Sequence, residues 1–126
     1  MAKPTDVRQM GNRVVSAVVN IAVNGAAAAQ TIFALPALVG VLAGTHSAII
    51  KKITFRNNAA GNSVIVFGTG IPGVAAMPGL DSMNGLTDTY DEDEIASPEF
   101  FNNITVWSTT LPGGSVDVQI EVLVRG

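Results

Sequence analysis

The chain has 126 residues, enough for one domain that buries roughly two-thirds of its unfolded surface. Apolar residues make up 48% and charged residues only 13%, where a soluble domain carries about 25% charge. So thinly charged a skin argues against a free monomer and for burial in an assembly. The absence of cysteine excludes disulfides and thiolate metal sites.

The charges are segregated along the chain. Residues 1–63 sum to +5 and residues 64–126 to −8, a split that can steer one copy onto another. The basic residues are few and do not interleave with aromatics, so a nucleic-acid partner is not expected. The opening MAKPTDVRQMGN lacks the apolar stretch of a secretory signal. It reads as an extended N-terminal arm, residues 1–12, ahead of a single domain, 13–126.

Thirty-seven residues between Arg13 and Lys51 carry no formal charge. Gln30, Thr31, Pro36, Gly40, Gly44, Thr45, His46 and Ser47 break that stretch below the about 20 apolar residues a transmembrane helix needs. No membrane span is expected. Within it, Val15, Ala17, Val19, Ile21 and Val23 alternate with more polar neighbours and predict a strand with one buried face. Asn24-Gly25 signals a turn, Ala26–Ala29 can form one helical turn, and Thr31-Ile32-Phe33 returns to extended chain.

A second strand runs from Ile49 to Arg56, with Ile53 and Phe55 inward and Thr54 and Arg56 outward. Asn57–Asn62 reads as a hairpin loop and Ser63–Phe67 as the partner strand. Both parities of that partner are apolar, which places it centrally or under cover on both faces. From Gly68 to Pro98 glycine and proline predict a long connection with at most short strands, near Val74–Met77. Asn103–Thr109 and Ser115–Val124 are further strands, joined by a turn at Leu111–Gly114. Several short strands, tight turns and no amphipathic helix predict an all-β fold: a single antiparallel β-sandwich, jelly-roll-like.

The stretch VIVFGTGIPG contains G-x-G-x-x-G after a β-branched strand, the pattern of a dinucleotide phosphate loop. That loop needs a following helix whose N-terminus holds the pyrophosphate. Here only Val74–Met77 separate Gly73 from Pro78-Gly79. The glycines therefore end a strand and bend the chain, and no cofactor is expected.

The acidic run from Asp88 to Glu94 reads as a solvated loop, with Asp88, Asp91 and Asp93 as weak calcium candidates that lack the spacing of an EF-hand. His46 is the only histidine and has no nucleophile and orienting group patterned around it, so no catalytic residue is assigned. Trp107 has the opposite parity to Ile104 and Val106. It covers a second buried face, or sits at a subunit interface or a sugar-binding platform. Met77, Leu80, Met83 and Leu86 either cap the sandwich or insert into a neighbouring chain.

The segments IIKKITFRNNAAGNSVIVFGTG, PGLDSMNG and FFNNITVWSTTLPGGSVDVQIEVLV resemble the small β-sandwich virion proteins of tailed bacteriophages, most nearly head-decoration (cement) proteins. The likeness spans residues 45–126 and lies in strand and turn order. It implies a homotrimer on the capsid surface, in contact with the major capsid protein, within a virion assembled in the host cytoplasm. The arm, with Lys3 and Arg8, becomes a capsid-binding tail, and the loop 70–98 an intersubunit contact. Two other roles compete: a calcium-dependent receptor- or carbohydrate-binding module of a phage tail using Trp107 and Tyr90, and a small jelly-roll capsid subunit.

Overall fold

The computed structural model describes residues 12–34, 47–69, 74–101 and 103–125. Strand β1 (Asn12–Ile21) follows the expected alternation. Val15, Ala17, Val19 and Ile21 pack on the core, while Val14, Ser16, Val18 and Asn20 face outward. Val23, expected inward, is exposed because the strand ends at Ile21. A 3-10 turn at Ala26–Ala28 leads into β2 (Gln30–Phe33). Then come β3 (Ser47–Asn57), β4 (Ser63–Gly68), β5 (Leu80–Ser82) and β6 (Thr87–Asp91). A four-residue helix α1 (Glu92–Ile95), β7 (Glu99–Phe100), β8 (Ile104–Thr110) and β9 (Val116–Arg125) complete the described chain.

The strands form two antiparallel sheets. One has the order β1-β9-β3-β6, with β7 pairing the start of β3 beside β6, and the other has the order β2-β8-β4-β5. Each sheet therefore interleaves strands from the two ends of the chain, which is the eight-stranded jelly roll of two Greek keys, with β7 as an addition. The core lies between the sheets and is built on Phe55, Phe67, Ile50, Ile53, Ile104 and Ile120, all fully buried. Each such side chain stabilises the fold by about 1.5–3 kcal/mol relative to exposure.

A β-bulge in β3 keeps two lysines out of that core. The register against β9 slips between Ile50 and Lys52, so Ala48 and Ile50 point inward before it and Ile53 and Phe55 after it. An unbroken alternation from Ile50 would carry Lys52 inward. The N–H of Ile50, beside the gap between β6 and β7, donates to Ser97 Oγ at 3.0 Å.

Three expectations need correction. β3 and β4 are not a hairpin: they lie in different sheets, because β9 and β6 occupy the two sides of β3. Residues 57–62 form a crossover, with Asn58 N–H donating to Ser115 O at 2.8 Å and Ala60 N–H to Gly113 O at 2.8 Å. The region from Gly68 to Pro98 is more regular than expected, since it holds β5, β6 and α1. The acidic run is accordingly an edge strand and a helical turn rather than a loop. Asp91 ends the strand and starts the helix, its N–H donating to Glu94 Oε1 at 3.0 Å in the manner of a capping box.

The strand that ends in VIVFG is followed by a chain reversal. Gly70 and Gly73 lie outside the described residues, but on either side of them Gly68 forms a bridge with Ala75, and Ala76 N–H donates to Phe67 O at 2.9 Å. The chain folds back along its own strand. Among the described residues no helix is long and apolar enough to cross a membrane.

Candidate interaction surfaces

The outer face of the first sheet is a grid set by strand register. One row runs Val14, Leu123 and Ile49; the next runs Ser16, Glu121, Lys52 and Asp91. The third holds Val18, Gln119, Thr54 and Thr89, and the fourth Asn20, Asp117, Arg56 and Thr87. Asn20 Nδ2 donates to Asp117 Oδ1 at 2.8 Å and Gln119 Nε2 to Ser16 Oγ at 3.3 Å. A shallow hollow lined by Thr54, Arg56, Thr87, Asp117 and Gln119 lies on this face.

This grid revises the expectation of charge steering between copies. Three of the six basic residues of the N-terminal half, Lys51, Lys52 and Arg56, sit on β3, and that strand lies between two strands of the acidic half. Lys52 is flanked in register by Glu121 and Asp91, Arg56 by Asp117, and Lys51 pairs with Glu92 of α1. At the sheet's end Arg125 lies 3.7 Å from Glu99, whose carboxylate also accepts from Ser47 Oγ at 2.7 Å. Opposite charges on facing strands attract within the chain.

Trp107 is 4% exposed on the outer face of the second sheet, beside Val66 of β4. Its ring lies over Gly68. Trp107 thus covers a second buried face of this chain. Met77 is 6% exposed and belongs to the core, and Leu80 packs against it. Met83 and Leu86, by contrast, flank the Asn84-Gly85 turn and are 42% and 55% exposed. Leu86 N–H donates to Met83 O at 3.2 Å, and Gly85 supplies a φ of 73°, the positive value a type II turn requires at that position. Lys3, Arg8 and His46 lie outside the described residues, as do residues 1–11 of the arm.

The carboxylates considered for calcium have separate uses. Asp88 Oδ2 accepts from Met83 N–H at 2.8 Å, Asp91 precedes α1, and Asp93 is an exposed residue of α1. Among the described residues no three His, Asp or Glu side chains gather in a metal-binding group. Tyr90 sits with Phe55 at a centroid distance of 5.8 Å, and its hydroxyl donates to Asp81 O at 2.5 Å. Burial pushes its phenol above the usual value, and the charges of Asp88, Asp81 and Glu94 add to the rise.

The exposed valines of β1 are the surface feature that sequence reasoning passed over. Val14 is 62% and Val18 68% exposed. Their even-numbered alternation marked them as outward, and their residue type marked them as costly to leave wet.

No protein-family model and no curated protein matches the chain. Among solved structures, a Bacillus endospore appendage protein from a family of disulfide-linked pili is 16% identical, with 90% of this chain and 88% of that one covered and a TM-score of 0.47. The Drosophila NLP core, solved for pentamer formation and histone binding, is 16% identical over 88% of this chain and 97% of that one, at a TM-score of 0.49. Tobacco streak virus coat protein is 10% identical over 100% of this chain and 91% of that one, at 0.48. Likenesses at this level carry no functional argument. The chain is an all-β protein of two antiparallel sheets in jelly-roll order.

Proposed function

We propose that the protein is a structural component of a phage particle: a decoration protein that sits on the capsid surface as a homo-oligomer, a trimer, and holds the major capsid protein by repeated contacts. The observation that carries this reading is apolar exposure on two separate surfaces, Val14 and Val18 on β1 and Met83 and Leu86 at the β5–β6 turn, in a chain with only 13% charged residues. Surfaces of that kind are stabilised by cover from other protein. Repetition around a shell turns a modest contact into strong attachment. Met83 and Leu86 are the contact residues toward the capsid. The arm with Lys3 and Arg8 is a second attachment, and assembly takes place in the host cytoplasm.

The complete jelly-roll strand order favours a second reading, a small capsid subunit that builds the shell itself, since that order recurs in viral capsid domains. Fold alone does not choose between them. Purified protein mixed with bare capsids separates the two. Saturable binding that Met83→Ser with Leu86→Ser abolishes, at unchanged melting temperature, supports decoration. Closed shells formed by the protein alone support the subunit. Chelator-sensitive binding to a glycan array, with neither of the others, overturns both in favour of a carbohydrate-binding module.

A further inference from the structure

The outer strands of the two sheets, β1, β6 and the two-residue β7 of the first and β2 and β5 of the second, differ in how well they are protected against pairing. β6 carries Asp88 and Asp91 and runs directly into α1. β2 has four residues and a slip in register, and β5 has three. Short, irregular or charged edges discourage added strands. β1 has none of these devices among its described side chains: Val14 to Ile21 holds no charge, no proline and no bulge, and it pairs β9 in unbroken register.

The direction of the free backbone groups follows from two hydrogen bonds. Asn58 N–H donates to Ser115 O across the β3–β9 side, so the odd-numbered residues of β9 bond to β3 and the even-numbered ones to β1. The partners of those even residues on β1 are Val15, Ala17, Val19 and Ile21. The N–H and C=O groups of Val14, Ser16, Val18 and Asn20 therefore point away from the sheet. Gln30 Nε2 donates to Asn20 O at 2.7 Å, which agrees with that direction and marks where the open edge stops.

We propose that β1 pairs antiparallel with β1 of a second copy about a twofold axis through Ser16, joining the two first sheets into one continuous sheet. The strand is its own complement. Outward-pointing groups must face outward-pointing groups, so even-numbered residues oppose even-numbered ones. Of those registers, the one centred on Ser16 sets Val14 against the partner's Val18 and Val18 against the partner's Val14. Both exposed valines are then covered on the same face, and Ser16 opposes itself. A strand of another protein would satisfy the backbone equally well; a second copy also brings a matching pair of exposed valines at this spacing. The contact is separate from Met83 and Leu86. It stands or falls independently of capsid attachment, and it adds a twofold joint to any threefold one.

The chain contains no cysteine, so single cysteines report the register cleanly. Directly opposed, hydrogen-bonded residues have Cα atoms about 5.5 Å apart, within disulfide range. Under mild oxidation Ser16→Cys is expected to give a covalent dimer and Val14→Cys alone to stay monomeric on a denaturing gel. A mixture of Val14→Cys with Val18→Cys is expected to cross-link as a mixed pair. Val18→Lys is expected to weaken self-association by about tenfold or more in sedimentation at unchanged fold, a loss of about 1.4 kcal/mol. Cross-linking of Ser16→Cys no faster than that of Val14→Cys overturns the proposal, whatever mass the native protein shows. So does a thiol in the Ser16→Cys variant that is protected only when capsids are added, since the edge then takes a different partner. A native trimer without the Ser16 cross-link sinks this joint and leaves the decoration role standing.

Discussion

Trp107 rests on the bare backbone of Gly68. A Cβ at Gly68 would fall 2.6 Å from Cζ3 of the indole and 2.5 Å from the carbonyl oxygen of Val74. The glycine thus lets the returning chain and the ring share one small space, sealing the outer face of the second sheet. Neither neighbour is the free end of a flexible side chain. Gly68→Ala should therefore force the covering segment away and cost about 1–3 kcal/mol, as overpacked cores do. Because Trp107 is the only tryptophan, its emission should shift to longer wavelength in the folded variant as the ring becomes wetter. Unchanged emission and unchanged urea midpoint would show that the contact is not restrictive.

Asn57 ties the β3–β4 crossover to the β5–β6 turn. It is 2% exposed; its amide donates to Ser82 O at 2.9 Å and Gly61 O at 3.2 Å, and its Oδ1 accepts from Ala59 N–H at 2.7 Å. Alanine leaves buried backbone groups without partners, at about 1–3 kcal/mol for each that water cannot reach. Asn57→Ala should lose about 2–4 kcal/mol in denaturant unfolding on that basis. A loss below about 1 kcal/mol, the scale of one ordinary hydrogen bond, would mean the surrounding chain relaxes to satisfy them.

Tyr90 should make stability fall in alkali. Its folded pKa is raised by burial and by neighbouring carboxylates, so between the unfolded value of about 10 and the folded value the native state holds more protons than the unfolded one. The contribution is full below the unfolded pKa and disappears as pH rises through the folded pKa. Ultraviolet titration of the single tyrosine should show ionisation above the midpoint of a denatured sample. Tyr90→Phe should remove this part of the alkaline loss. Coincident midpoints in the native and denatured protein would refute the shift.

Lys51 and Glu92 join β3 to α1 across the surface, with side chains 34% and 60% exposed. Solvent screens such a pair, so Lys51→Ala should cost less than about 1 kcal/mol, and still less in high salt. A larger loss, measured by thermal unfolding, would point to a role for the lysine stem in covering Ile50 or Ile95 rather than for its charge.

Much of the strand content was legible from alternation. Val15 to Ile21 and Val116 to Val124 show period two because one face of each meets the core. The double-sided apolar pattern of Ser63–Phe67 correctly marked a central strand, which β8 and β5 flank. Trp107 was legible as an outer-face residue by parity, and the structure shows what covers it. β5, β6 and α1 were missed because their residues are mostly polar. Thr87, Thr89 and Asp91 face solvent, and the inward positions of β6 are filled by Asp88 and Tyr90, which carry no strong hydrophobic signal. The bulge at β3 was hidden for a related reason: a local pattern can show a phase change without showing which strand accommodates it.

What the residues determined by themselves is orientation, the side of each strand that turns inward, because burial of a β-branched face is a local consequence of a two-residue period. Which sheet each strand joins was decided only by tertiary structure. Asn57–Asn62 specifies a reversal of direction, and a reversal serves a hairpin and a crossover equally; with β9 and β6 on either side of β3, β4 joins the other sheet. The charges follow the same rule. A basic half and an acidic half are visible in the chain, but only strand order sets Lys52 between Glu121 and Asp91, since long-range pairing answers to which edges remain open rather than to neighbours in sequence.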